Sequence, residues 1–365
     1  MAMEPSLQYA RTADGVSIAF STLGEGEPLV YLVGGPWNHI ELWEVPECRW
    51  WYERLARDRM LVRYDVRGTG LSEREVIDFS LGARVLDLEA VLDRLEVDTF
   101  NLFAAVDAGP VAITYAVRHP ERVSRLLLWC SFARAADIAS PRLRAWRGLI
   151  DQDWELMTDT CVHLALGWSG GEVGHTAAEH LRDSVTRDVA KASLAAADTV
   201  DVTGLLHRVR QPTLVLHRRG IPWLSVDVAR GLASGIPGAL LKLVEGESTA
   251  PYLGDTEAAA QAIEQFLDTE DAPRVQGKEP HVPSVSSVQH PAALAQPRPA
   301  PSDGLTAREV QVLRLVASGQ TNSEIADELV LSIRTVERHI ANIYGKIGAR
   351  GRANATAYAL TRALV

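Results

Sequence analysis

The stretch from residue 101 to residue 124, NLFAAVDAGPVAITYAVRHPERVS, constrains the fold more than any other part of the sequence. Its pattern predicts an apolar strand at 101–104, a tight turn of small residues and a helix that ends at His119-Pro120. A strained strand-to-helix turn of this kind carries the nucleophilic serine of the pattern G-x-S-x-G, since only small neighbours fit beside it. Here residues 104–108 read AAVDA, so Val106 stands in the serine position. Because valine has no nucleophilic atom, we expect this domain to hold a molecule rather than to cleave it.

A proline-rich segment divides the chain. Residues 271–302 hold seven prolines and no aromatic residue, a composition that cannot build a core and is typical of an extended, solvated linker. We therefore predict three parts: a large domain at 1–270, a flexible linker at 271–302 and a small helical domain at 303–365.

Short β-type runs alternate with longer helical patterns before the linker, which predicts an α/β fold with a mostly parallel sheet covered on both faces. The stretch 137–199 has no strand-like run and is expected to form a helical cap over the ligand end of the sheet. The predicted strands are 16–21, 29–33, 61–64, 100–104, 125–129, 213–217 and 240–243, and the predicted helices are 81–95, 110–118, 226–234 and 256–267.

Composition narrows the class of protein. Three widely spaced cysteines fit neither a disulfide framework nor a zinc site, which favours the reducing cytoplasm, and no signal peptide or membrane-spanning run is found. The net charge of −10 argues against a chain that coats nucleic acid throughout. However, residues 303–365 hold eight Lys and Arg against six Asp and Glu, which hints at a separate nucleic-acid module.

Five phrases in family order resemble the α/β-hydrolase family over about residues 1–270: VYLVGGPWNHIE (30–41), VRYDVRGTGLS (62–72), the turn with its HPERV, PTLVLHRRG (212–220) and VEGESTAPYLGD (244–255). That resemblance implies a Ser, Asp and His triad in this chain order. The three corresponding positions carry Val106, Ile221 and Thr249, so all three catalytic roles are vacant.

A shift of one residue would place Asp107 in the nucleophile position, as in the haloalkane dehalogenases. The spacing to His119-Pro120 favours Val106 instead, and the shift would restore neither the acid nor the histidine. The alternative role for Asp107 is to stabilise the amino end of the following helix, where its charge suits the helix dipole. The amides of Gly34 and Gly35 would anchor a ligand oxygen where a hydrolase has its oxyanion hole.

Tryptophans occur in several of the segments that are expected to surround a ligand. All nine tryptophans precede the linker, and core packing is the alternative for each of them. Together they predict a small apolar or aromatic ligand, while His39 is expected at the surface. The candidate pocket residues are Gly35, Trp37, Val106, Asp107, Trp146, Trp154, Trp168 and Trp223.

Residues 304–365 resemble the LuxR-type helix-turn-helix over their full length. Capping boxes at Thr306–Glu309 and Thr321–Glu324 predict two helix starts, Ser332 begins a third helix that Gly348 ends, and a fourth follows from Arg352. The resemblance implies that the third helix reads DNA and that the fourth forms the dimer contact.

The outward face of the third helix supplies the base-reading candidates Arg338, Asn342 and Glu337. Glu337 stands where relatives often carry Lys, which removes one phosphate attraction, and His339 is expected to be structural. The candidates for phosphate contact are Thr321, Thr335, Lys346, Arg350 and Arg352.

These observations favour a cytoplasmic transcriptional regulator that is not an enzyme, needs no metal or cofactor, and binds a small ligand. It would bind a pseudo-palindromic double-stranded DNA operator as a homodimer, with RNA polymerase as a further partner and no membrane contact. A divergent hydrolase or dehalogenase fused to a DNA-binding domain is the main alternative. A response regulator is disfavoured because the first 130 residues lack the acidic pair of a receiver domain.

Overall fold

An eight-stranded sheet organises the first 270 residues of the protein. The computed structural model describes residues 4–35, 39–166, 171–269, 304–362 and 364, and for 166 and 171–176 only the backbone. The strand order is β1-β2-β4-β3-β5-β6-β7-β8, with β1 and β2 antiparallel to their neighbours and all other pairs parallel. The strands are β1 (Ser6–Arg11), β2 (Ser17–Leu23), β3 (Glu27–Val33), β4 (Arg59–Tyr64), β5 (Phe100–Ala105), β6 (Val123–Trp129), β7 (Thr213–Arg218) and β8 (Leu240–Val244).

Five helices cover the two faces of the sheet. The central strand β5 is buried along its whole length, with Leu102 in one apolar cluster and Phe103 in the other, as the alternation of a strand requires. On one face lie α2 (Leu81–Arg94), α3 (Gly109–Arg118) and α8 (Val226–Gly235), and on the other lie α1 (Pro46–Leu55) and α9 (Thr256–Leu267).

The predicted cap is present between β6 and β7, and its described residues form helices joined by short turns, with no strand among them. Its apolar cluster is centred on Trp146, Leu149 and Met157. The cap helices are α4 (Pro141–Gly148), α5 (Trp154–Leu166), α6 (Gly171–Ser184) and α7 (Arg187–Ala197).

One strand and one α-helix of the sheet layers were missed by the sequence prediction. Strand β1 lies at the sheet edge with Leu7 and Tyr9 about half exposed, so it lacks the buried apolar run that marks the other strands. Helix α1 begins with Pro46 at its first turn, a favoured position for proline. The predicted linker, 271–302, lies outside the described residues.

The C-terminal domain consists of α10 (Ala307–Ala317), α11 (Asn322–Leu329), α12 (Ile333–Ile347) and α13 (Arg352–Thr361). Both predicted capping boxes are formed, and Gly348 ends α12 in the left-handed conformation with φ +68°. No helix in the described part of the chain is long and apolar enough to cross a membrane.

Candidate functional site

Val106 occupies the turn between β5 and α3. Its φ of +54° lies in the left-handed region, which is rare for a β-branched residue and costs on the order of 1–3 kcal/mol. The Ser131 hydroxyl donates to the Val106 carbonyl at 2.7 Å and holds the turn in place. The strained residue of the turn is therefore Val106 and not Asp107, which agrees with the predicted register.

Asp107 follows in the turn and lines a cavity under the cap. Its Oδ2 lies 3.6 Å from the Arg84 guanidinium, and its Oδ1 is buried with no hydrogen-bond partner among the described residues. Burial raises the pKa of Asp107, and the charge of Arg84 opposes that shift. A carboxyl group in this setting suits a hydrogen bond to a ligand better than nucleophilic attack, because burial disfavours its ionised form.

Ile221 and Thr249, which the family resemblance aligns with the acid and the histidine, differ in their surroundings. Thr249 lines the cavity, and its backbone amide donates to the Ala165 carbonyl of α5 at 2.8 Å while Trp129 Nε1 donates to its carbonyl at 2.7 Å. Ile221 is buried in an apolar cluster beneath the sheet and does not line the cavity. Neither side chain is able to accept a proton from a nucleophile.

The cavity has a volume of about 220 Å³ and is lined mainly by apolar side chains. Of the eight predicted pocket residues, Val106, Asp107, Trp146 and Trp223 line it. Gly35 and Trp154 do not, although the neighbouring Gly34 does, and Trp154 packs instead against the apolar cluster of the cap. Trp37 and Trp168 lie outside the described residues.

Several polar residues of the cavity were not predicted. The expectation of a surface position for His39 is wrong: the residue is buried, lines the cavity and lies 3.7 Å from Asp65 through its Nδ1. Arg147 and Cys161 also line the cavity, and burial raises the pKa of the Cys161 thiol to about 12. The cap helices bring both residues over the turn at Val106, a tertiary arrangement that no local pattern in 137–199 reports.

In the C-terminal domain, α12 buries Val336, Ile340, Ile343 and Ile347 against the other helices. On its opposite face Glu337, Arg338 and Asn342 are exposed, and His339 is half-buried beside them. The three base-reading candidates therefore lie on the solvent-exposed side of α12.

The phosphate-contact candidates are less uniform. Arg350 is exposed, whereas Thr321 and Thr335 are engaged in the caps of α11 and α12. Lys346 donates to Glu309 at 2.7 Å and so ties α12 to α10. Arg352 is half-buried and donates to the Gln320 carbonyl. Among the described residues, the Arg350 side chain takes part in neither a helix cap nor a contact between helices. It is therefore available to contact a phosphate.

Glu309 gives a prediction about acid stability. Its hydrogen bonds with Lys346 and with the amide of Thr306 lower its pKa to about 2, below the ordinary value of 4.5. Its contribution to stability is therefore present above pH 4.5 and is lost as the pH falls from about 4.5 to 2. Glu309→Gln keeps a side chain that can complete the capping box but removes the negative charge that pairs with Lys346, so it should cost about 0.5–2 kcal/mol at pH 7. Hydrogen exchange of α10 and α12 measures this, with the exposed Glu328→Gln as control. An equal loss in the variant at pH 7 and pH 2.5 would contradict the assignment.

Comparisons with known proteins agree with the two-part architecture. Residues 303–359 match the family described as bacterial regulatory proteins, luxR family. A stretch of 128 residues is 35% identical to the transcriptional regulatory protein LiaR of Bacillus subtilis, covering 35% of this chain and 54% of LiaR, so the match spans about half of that relative.

Two further matches concern the N-terminal domain. The putative carbamate hydrolase RutD of Pseudomonas syringae is 26% identical over 235 residues, which cover 61% of this chain and 90% of RutD. The crystal structure of a hydrolase from Pseudomonas aeruginosa PA01 superposes with a TM-score of 0.63 at 22% identity, covering 72% of this chain and 99% of the hydrolase. That likeness shows the fold alone.

The fold and the site together define a two-domain chain in which an α/β-hydrolase-fold domain precedes a helix-turn-helix domain. The C-terminal domain is a LuxR-family DNA-binding domain.

Proposed function

We propose that this protein is a sequence-specific DNA-binding transcriptional regulator whose hydrolase-fold domain binds a small apolar molecule without hydrolysing it. The observation that carries the proposal is the presence, in one chain, of a LuxR-family domain and a hydrolase-type turn occupied by Val106. A regulator that senses a small molecule needs a pocket that binds it selectively, and it does not need catalytic groups.

The DNA-binding part of the proposal rests on α12. Its exposed Arg338 and Asn342 are spaced one helical turn apart, so both side chains reach the same groove. An arginine reads guanine through O6 and N7, and an asparagine reads adenine through N6 and N7. The net charge of the module is only +2, which makes the binding of one copy weak and favours a homodimer on a pseudo-palindromic operator.

Two further assignments follow from this role. A bacterial regulator acts where the chromosome lies, so we place the protein in the cytoplasm. Contact with RNA polymerase is the route by which a bound regulator would act on transcription. Neither assignment depends on a metal or a cofactor.

The sensor part of the proposal rests on the cavity. Its walls combine aromatic and aliphatic side chains, including Trp146, Trp223 and Leu164, with the few polar groups near Val106. Such a lining favours a ligand with an apolar body and one or two hydrogen-bonding atoms. Asp107 and Arg147 are the groups that would orient it, since both reach the cavity and have buried atoms without hydrogen-bond partners among the described residues.

The competing function, catalysis through Asp107, gives a direct test. With a panel of aryl esters and haloalkanes we expect no turnover above the background of the same buffer, for the wild-type chain and for Val106→Ser alike. The added serine would have no base to activate it, because Thr249 and Ile221 hold the other two positions.

Asp107→Asn and Val106→Ala serve as a matched pair in the same assay. Turnover that is lost in Asp107→Asn and kept in Val106→Ala would overturn the sensor assignment and establish the dehalogenase-type alternative. A native mass spectrum of protein purified from its host then tests ligand binding, since a retained small molecule adds a discrete mass that Val106→Trp, by filling the cavity, should remove.

A further inference from the structure

The second half of helix α13 is buried on every side. Every residue from Ala355 to Leu360 is buried. One face, with Ala355, Tyr358 and Ala359, belongs to the core of the DNA-binding domain. The other, with Ala357 and Leu360, belongs to the apolar cluster of the cap. The cap therefore supplies half of the environment of α13.

The cap face of α13 has a regular spacing. Ala353, Ala357 and Leu360 follow one another at intervals of four and three residues, so they form a single stripe along the helix. Small side chains at two of the three positions allow the close packing of α13 against α4 and α5. We call this contact the cap–α13 interface.

Polar and backbone contacts complete the cap–α13 interface. The side-chain amide of Asn354 lies 2.9 Å from Nε2 of His163 in α5. At the turn after α10, Gly319 has φ +90° and packs against the cap, where a Cβ would lie 2.5 Å from Oε1 of Gln152 and 3.2 Å from Cδ2 of Leu149. Two separate segments of the DNA-binding domain, α13 and the turn after α10, therefore contact the cap.

Helix α5 is shared between the cap–α13 interface and the cavity. Cys161, Val162, Leu164 and Ala165 line the cavity, while His163 projects from the opposite side of the helix toward α13. This is the geometry of a helix with 3.6 residues per turn, in which residue 163 points away from the mean direction of its four neighbours. The carboxyl end of α5 is also tied to the cavity loop, because the Ala165 carbonyl accepts from the Ser248 hydroxyl at 2.8 Å.

We propose that the cap–α13 interface holds the DNA-binding domain against the sensor domain, and that a molecule in the cavity releases it by displacing α5. This inference rests on the sensor function proposed above. The interface holds while the cavity keeps its present walls, and an occupant that pushes Cys161 and Val162 outward moves His163 against α13. Release bares the stripe of Ala353, Ala357 and Leu360 and frees the two DNA-binding domains of a dimer to take the spacing that an operator demands.

Hydrogen exchange of the full chain tests whether the cap–α13 interface binds the DNA-binding domain to the cap. Ala357→Glu places a charge in the cap–α13 interface, and we expect the amides of α13 and of 149–153 to exchange at least tenfold faster than in the wild type. Ala192→Glu makes the same change on an exposed part of α7 and should leave α13 unaltered. Unchanged exchange in Ala357→Glu would overturn the interface. Retained binding to genomic DNA shows that the domain itself is still folded; if binding is lost, Asn354→Ala combined with His163→Ala provides the same test without a charge in the helix.

A cavity-filling variant tests the coupling. Cys161→Phe places a larger side chain on the part of the cavity wall that α5 forms. We expect the amides of α13 to exchange faster in this variant, although residue 161 does not face α13. Ala192→Phe is the matched control. If Cys161→Phe leaves the exchange of α13 at the wild-type rate, the coupling is wrong. DNA binding that depends on Arg338 would stand even then, so failure of this inference is distinguishable from failure of the proposed function.

Discussion

Replacing Arg338 with alanine is expected to abolish specific DNA binding. A bidentate contact between arginine and guanine contributes about 1–3 kcal/mol of discrimination in each half-site. A dimer loses it twice, so the affinity for the operator should fall roughly 30-fold to 10⁴-fold, down to the level of non-specific binding. Fluorescence anisotropy with an operator duplex and a scrambled duplex of equal length measures the loss.

Two comparison variants separate base reading from general electrostatics. Arg350→Ala removes the same charge from the exposed phosphate candidate, so it should weaken binding to both duplexes by a similar factor and reduce the salt dependence. Arg230→Ala removes an exposed charge on α8 of the hydrolase-fold domain and should change neither affinity. If Arg338→Ala weakens binding to both duplexes equally, the assignment of the α12 recognition face fails.

Replacing Arg67 with alanine is expected to destabilise the hydrolase-fold domain by about 3–5 kcal/mol at pH 7. Arg67 is fully buried and donates to Asp87 at 2.9 Å and to Asp14 at 2.8 Å. Without it, the carboxylate of Asp87 would be left buried and without its counter-charge, which is a larger cost than losing one hydrogen bond.

The sign of the pH dependence follows from Asp87. Burial raises its pKa from 3.8 to about 6, although Arg67 opposes the shift. The folded state thus binds more protons than the unfolded state between pH 3.8 and 6, so this group makes the domain less stable as the pH rises through that window. In Arg67→Ala the pKa rises further, so the deficit relative to wild type should be largest at pH 7 and smaller at pH 5.

Urea unfolding followed by tryptophan fluorescence measures this, because all nine tryptophans precede the linker and report on the hydrolase-fold domain. Arg219→Ala, which removes an exposed ion pair with Glu245, should cost less than about 0.5 kcal/mol. A loss in Arg67→Ala that is the same at pH 5 and pH 7 would show that Asp87 is not the group left unpaired.

Much of the architecture was predictable because local signals were strong. The capping boxes of α10 and α11, the Ser332 cap of α12 and its end at Gly348 all follow from the sequence. The position of Val106 in the turn followed from its distance to His119-Pro120, and the positive φ of Val106 agrees with it.

The cavity was predictable only in part, because its walls come from segments far apart in the chain. Trp146 and Trp223 were found through their position in hydrolase-like segments, yet His39 was placed at the surface and Trp154 in the cavity. Whether a cap residue faces the cavity or the cap core depends on the rotation of its helix, and the apolar pattern of 137–199 does not fix that rotation when both sides are buried. The cap–α13 interface was missed for the same reason, since Ala353 and Ala357 carry no signal that a second core covers them.

The strained turn at Val106 and the exposed face of α12 both support the central proposal. In that proposal, this chain recognises a DNA sequence under the control of a non-catalytic sensor domain. Selection of genomic fragments by the purified full chain, with the bound fragments sequenced, tests that proposal most directly. We expect the wild type to enrich a short pseudo-palindromic sequence and Arg338→Ala to enrich none. Enrichment of the same sequence by both proteins, or of none by the wild type, would contradict it.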